Sequence, residues 1–328
     1  MALRDDRVPG LPGRVKTPGL CLWGRTALAL SLVLAGAGCS LRSMAVNTIA
    51  DTLAESSAAY ASDNDPELVR SALPFSLKTI ESLLVTSPNH KGLLLSACSG
   101  FASYANLFID TEAVLVEYAD FARAAELKAR ALKMYVRARD YCLRRLELGY
   151  AGITRRLQVD PHAAVQVAGI EDVPVLFWLG ATWGLAISRA SGQPALAADL
   201  PAVRALMERA LQLDEGFDRG AIHGAMIVLE ALPEAMGASP DRARRHFERA
   251  VELSDGLSAG PYVTYASSVL VAQQNRKQFV ELLERALAID PDAAPPMRLQ
   301  NLISQELARH LLTHVDDLFL EALEENVQ

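Results

Sequence analysis

Three stretches of the chain carry one phrase: MERALQLDEG at 207–216, FERAVELSDG at 247–256 and LERALAIDPD at 283–292. Each sets a large apolar residue before Glu-Arg-Ala, then two alternating apolar positions, then an acidic turn. Recurrence at such a period is the mark of stacked supersecondary units. In a tetratricopeptide repeat (TPR) of about 34 residues, the second helix carries a large apolar residue and, three positions on, an alanine. An acidic-Pro turn then starts the next unit. Met207, Ala210 and Asp214 fit this pattern, as do Phe247, Ala250 and Asp255, and Leu283, Ala286 and Asp290-Pro291. Ile80, Leu83 and Pro88 make a weaker earlier copy. The next helices open with residues at the expected places: Ala97 and Phe101, Gly224 and Val228, Tyr265 and Val269. Spacings of 40 and 36 residues mark degenerate repeats with longer loops. Alanine lets helices cross closely, and such pairs stack into a superhelix with a concave surface.

The remaining segments are helical too. VNTIADTLAESSAAYAS (46–62) is amphipathic, and Asp65-Pro66-Glu67 supplies an N-cap, a proline at the first helical position and an acid in the first turn. Helices are expected over 67–88, with Pro74 splitting or kinking the first, and over 92–119 and 121–150. Sustained period-two alternation and Asn-Gly hairpins are missing, so the fold class is all-α: degenerate TPR-like repeats stacked into a superhelix. A composition 51% hydrophobic excludes a disordered chain, and a net charge of −7 argues against a nucleic-acid partner.

Residues 1–38 read as a lipoprotein-type signal peptide. Arg4, Arg7, Arg14, Lys16 and Arg25 precede the apolar run TALALSLVLAGAG (26–38), which ends in small residues before Cys39. The run is shorter than the roughly 20 residues a transmembrane helix needs. Ala37-Gly38-Cys39 resembles a lipobox, although Gly36 stands where leucine is usual, so Cys39 is the candidate lipidation site. An ordinary cleaved signal and an uncleaved anchor are the alternatives. Residues 39–45 then form a tether and 46–328 the helical domain. Without 1–38 the chain keeps 27 basic and 37 acidic residues, a net −10. Cys98 and Cys142 occupy apolar helical positions and read as small core hydrophobes, with a disulfide between them as the alternative.

Catalytic chemistry leaves no constellation in the sequence. His310 and His314 share a helix face but lack the glutamate of HExxH and a third ligand, so surface or packing roles are expected and no metal or cofactor. The basic run from Lys128 to Arg145 is interleaved with Glu126, Asp140 and Glu147 and reads as a solvated helix face; anionic lipid or an acidic partner is the rival reading. VLFWLGATWGLAISRA (175–190) sets Trp178 and Trp183 among small residues, where they fill the core or line a cavity. SGFASYANLF (99–108) is read as burying Asn106 among aromatics that include Tyr104. A buried amide needs partners, so it pins the backbone or faces a ligand.

The ordered set ACSGFASYANLFID, AELKARALKMYVRARDYCLRRLE, VPVLFWLGATWG, ADLPAVRALMERALQLDEGFDRGAIHG, LPEAMGASPDRARRHFERAVELSDG, VTYASSVLVAQQNRKQFVELLERALAID and RLQNLISQELARHLL resembles the TatT family. Those proteins are periplasmic, lipoprotein-type, TPR-like components associated with TRAP transporters, and the likeness spans residues 45–320. The resemblance implies a non-enzymatic protomer in a homotrimer with an internal apolar cavity for a hydrophobic small molecule. It also implies a TRAP-type solute-binding protein as partner and a lipid anchor in a bacterial membrane, the outer membrane first. On it, Trp178, Trp183, Tyr104 and Asn106 become candidates for the cavity wall or partner surface. A generic TPR scaffold for envelope assembly is the alternative function, and a periplasmic hydrolase would need a nucleophile and base that the sequence does not cluster.

If Cys39 carries the lipid, Cys39→Ser will release the protein into the soluble periplasmic fraction and abolish labelling by a fatty-acid probe. Unchanged membrane retention would contradict the assignment.

Overall fold

Several helix starts in this chain are fixed by side-chain caps. In the computed structural model, which describes residues 57–190 and 194–320, Asp65 accepts hydrogen bonds from the backbone N–H groups of Glu67 and Leu68, with Pro66 in the first turn. Asp120, Ser239 and Asn275 cap three later helices in the same way. These contacts satisfy amide donors that a helix leaves without intrahelical partners.

The described residues begin with α1 (Ser57–Ala61) and α2 (Pro66–Thr86), followed by α3 (Lys91–Val116) and α4 (Phe121–Glu147). Two short helices, α5 (Ile153–Val159) and α6 (Pro161–Val165), lead to α7 (Val173–Arg189) and α8 (Leu200–Leu213). Then come α9 (Ala221–Glu230), α10 (Pro240–Leu253), α11 (Gly260–Tyr265), α12 (Arg276–Ala288) and α13 (Arg298–Thr313). No strand occurs among the described residues. The protein is all-α. The sequence helix at 46–62 is represented only by α1; its remainder, the signal peptide and Cys39 lie outside the described residues.

Neighbours in sequence pack as neighbours in space: α2 on α3, α3 on α4, α9 on α10, α11 on α12 and α12 on α13. The most extensive contacts are α4 on α7, which skips α5 and α6, and α7 on its neighbour α8. Helix α13 returns to the start of the described residues: it packs on α1, α2 and α3 as well as on α11 and α12. Its Leu299 and Ile303 join the core of α2–α4, and the Arg298 guanidinium donates to the Ser62 carbonyl at 2.8 Å.

The repeated phrase ends a helix each time, at Leu213, Leu253 and Ala288. Its alanines, Ala210, Ala250 and Ala286, are all buried. A Cβ added to Gly220, at the start of α9, would lie 3.3 Å from the Ala250 Cα. The two helices therefore cross with almost no side chain between them.

Two expectations need correction. Pro74 does not split its helix; α2 runs unbroken from Pro66 to Thr86. Val69, Leu73, Leu77, Ile80 and Leu84 bury one continuous stripe on both sides of the proline, and this packing outweighs the missing N–H. Cys98 and Cys142 are not free core thiols but a disulfide. The hairpin of α3 and α4 sets the two residues opposite each other, Cα to Cα 5.4 Å, and both are fully buried.

Ala250→Leu will overpack the Gly220 crossing and lower unfolding stability by about 1–3 kcal/mol, whereas Arg249→Ala, on the solvent side, will barely move the melting temperature. Equal melting of all three proteins would contradict the crossing.

Candidate functional site

The four candidate residues do not converge. Tyr104 ends the regular part of α3 and is buried, its ring 5.9 Å from Phe108. From Ala105 to Asp110 the helix widens into a π stretch. The wider turn lets Phe108, Ile109 and Asp110 all face inward while Asn106 stays outside. Asn106 is therefore exposed, contrary to the reading from its aromatic neighbours, and its carbonyl accepts from the Thr111 hydroxyl at 3.1 Å.

On α7, Trp178 is half-buried at the seam of two core clusters, edge-on to Phe177 at 5.2 Å. Trp183 is buried, and its indole N–H donates to Asp199 at 3.2 Å. The guanidinium of Arg139 lies 5.5 Å from its ring centre. His310 and His314 lie against Tyr118, which stacks on His314 at 4.2 Å. Among the described residues no group of three or more His, Cys, Asp or Glu is arranged to hold a metal.

The structure also brings together polar groups that sequence reasoning missed. Asp110 is 4% exposed and accepts from Arg189 Nε at 2.7 and 2.9 Å and from the Tyr135 hydroxyl at 3.0 Å. One carboxylate thus ties α3, α4 and α7. Burial acts to lower the Arg189 pKa, but the Asp110 carboxylate outweighs it and the guanidinium stays charged. Burial, reinforced by Asp110, pushes the Tyr135 hydroxyl well above its ordinary range, so it remains a donor.

Glu230, 1% exposed, is the second such tie: Arg204 of α8, Arg242 of α10 and the Ser239 N–H at 2.9 Å all donate to it. Burial acts to raise its pKa, and the two arginines more than reverse this. The available signal was an acid inside an apolar run, LFIDTEAVL for Asp110 (with Glu112 two residues on) and AMIVLEALP for Glu230. Such an acid is rarely buried without a partner.

His223 and His246 face each other between α9 and α10, Nδ1 to Nδ1 2.8 Å. This contact needs one ring to donate and the other to accept, which two neutral tautomers provide. Burial first, then the charge of its neighbour, drops His246 to about 4. His223 is also lowered, mainly by burial.

Two hollows open to solvent. One of about 400 Å³ is lined by Lys133, Val136, Arg137, Asp140, Tyr141 and Arg144 on α4. The other, about 440 Å³, lies around Leu200, Pro201, Arg204 and Met236.

Against known proteins, the family model described as TRAP transporter T-component (TAtT) matches residues 62–319, nearly every described residue. The chain belongs to the TRAP transporter T-component family. It is also similar to an uncharacterized protein of Treponema pallidum (strain Nichols), 31% identical over 312 residues. That alignment covers 89% of this chain and 97% of the relative. Membership associates the protein with a transport system of the cell envelope.

Asp110→Ala strands the Arg189 charge and will destabilise the fold by about 3 kcal/mol, whereas Tyr135→Phe will cost about 1 kcal/mol; chemical denaturation measures both. The histidine pair sets a pH dependence. Folded His246 binds protons less readily than the unfolded side chain, whose pKa is 6.5, so its contribution is complete above that pH and lost as pH falls toward about 4. Glu230, with a folded pKa below 4.5, loses its contribution only at lower pH still. Thermal midpoints will therefore fall between pH 6.5 and 4.5, and His246→Gln will flatten that slope. His310, also lowered by burial, supplies a remaining part.

Proposed function

We propose that this chain is a non-catalytic periplasmic lipoprotein of a TRAP transport system, and that it binds the system's extracytoplasmic solute-binding protein. The observation that carries the reading is the T-component family match across residues 62–319. In this reading residues 1–38 export the chain, Cys39 carries the lipid, 39–45 form the tether and 46–328 the TPR-like domain. Its helix pairs stack into a superhelix, three copies associate, and an apolar small molecule occupies an internal cavity. The anchor holds the protein at the periplasmic face of the outer membrane.

The chemistry of the buried groups supports a binding role over a catalytic one. Asp110 and Glu230 are each taken up by arginines and fixed donors, so neither carboxylate is free to act on a substrate. Of the four candidate residues, Trp178 and Asn106 reach solvent and are the two that a partner can touch in this reading; Tyr104 and Trp183 are buried. A tethered protein needs only modest affinity, because confinement raises the partner's effective concentration.

Sedimentation of the protein alone and with the solute-binding protein of the same gene cluster tests this. An oligomer is expected, with partner binding near micromolar, on the order of −8 kcal/mol. A monomer that ignores that protein at hundreds of micromolar would overturn the reading in favour of a generic scaffold.

A further inference from the structure

The charge of the chain is unevenly distributed. Helix α4 carries eight basic residues and three acidic ones, a net +5 in a chain of net −7, so everything else sums to −12. Arg130, Lys133, Arg137 and Arg144 fall on one side of the helical period, opposite the buried stripe of Ala124, Leu127, Ala131, Tyr135, Ala138 and Cys142. Arg130 and Lys133 meet no carboxylate among the described residues.

Helix α2 runs beside the basic side of α4, and side chains link the two at three levels. Arg70 of α2 and Arg123 of α4 both bind Glu112. Glu81 accepts from the Tyr141 hydroxyl at 2.8 Å and from Arg137 at 3.0 Å, and Arg144 donates to the Pro88 carbonyl at 2.9 Å. The outward side of α2 carries three large apolar residues: Leu68 is 58% exposed, Phe75 79% and Val85 84%. Lys78 stands between them and pairs with Glu81. Besides Glu112 and Glu81 at the junction, the acids on this face are Glu67, Glu126 and Asp140. Glu126 and Asp140 pair with Arg123 and Arg139.

Exposed apolar side chains beside unneutralised cations are the composition of a surface that rests in a lipid headgroup layer. An acidic protein partner would account for the cations but not for Leu68, Phe75 and Val85 beside them. We propose that the α2–α4 face lies against anionic phospholipid headgroups, with Phe75 and Val85 at the acyl boundary and Arg130, Lys133 and Arg144 on phosphates. The inference uses the anchored reading only for bringing the protein to a membrane; the choice of face stands on these residues.

The full chain mixed with vesicles and briefly acetylated tests the proposal, because its lysines report by mass spectrometry which surface is covered. With phosphatidylcholine containing about one-third phosphatidylglycerol, Lys78 and Lys133 should acetylate about fivefold more slowly than with phosphatidylcholine alone. Lys277, exposed on α12, should react equally in both. About 1 M salt, which cuts the screening length to ~3 Å, should abolish the difference. Arg130→Glu with Lys133→Glu should remove the protection of Lys78 with no change in melting, and Phe75→Ser should weaken it. Equal acetylation in the two vesicles would overturn the proposal. So would protection given by the solute-binding protein and not by vesicles. Failure of that protein to bind would leave the vesicle result standing, so the two readings fail separately.

Discussion

Helices in this protein cross at glycine and alanine, and the rest of the structure depends on those crossings. A Cβ added to Gly100 would fall 2.7 Å from Leu77 Cδ2, and one added to Gly180 would fall 3.1 Å from Met207. At Gly220 the obstacles are the Leu253 Cβ at 3.1 Å and the Ala250 Cα at 3.3 Å. Interiors packed at crystal-like density have no slack for an added methyl where the nearest atom is backbone. The repeated Glu-Arg-Ala phrase is therefore a packing instruction. Its alanine is buried in every copy, whereas Glu248, Glu284 and Arg285 are exposed and Arg209 donates to the Gln166 and Ala168 carbonyls.

Close crossings also explain how so apolar a protein holds buried charge. Where three helices meet, a carboxylate can be reached from two sides at once, and Asp110 and Glu230 sit at such junctions. A buried ion pair is weak evidence of net stability, but breaking one is costly because it leaves an uncompensated charge. These ties thus act on register more than on total stability. Arg189 of α7 has one place to go, and with it α7 is fixed against α3 and α4. The Cys98–Cys142 disulfide locks the same α3–α4 pair covalently.

Much of this was legible in the sequence where the signal was local. Caps such as Asp65, the ends of the repeated phrase and the buried alanines depend on residues a few positions apart, and each expectation matches the structure. What stayed hidden depends on tertiary register. The pairing of Cys98 with Cys142 follows from the hairpin, and the exposure of Asn106 follows from a π stretch that breaks the helical period. The continuity of α2 through Pro74 reflects packing over propensity. The partners of Asp110 lie 25 and 79 residues away, beyond any motif.

The family assignment names a transport system, while the physical account concerns how the chain holds its helices in place. The crossing at Gly220 offers the most direct check, because another glycine serves as its control. Gly220 and Gly152 both adopt left-handed backbone, φ +90° and +77°, so alanine strains the two alike. Only Gly220 has neighbours in the way; a Cβ on Gly152 would meet nothing within 4 Å. Denaturant unfolding of Gly220→Ala and Gly152→Ala should therefore show a further loss of about 1–3 kcal/mol at Gly220. Equal losses at the two positions would contradict the claim that close helix crossings set this structure.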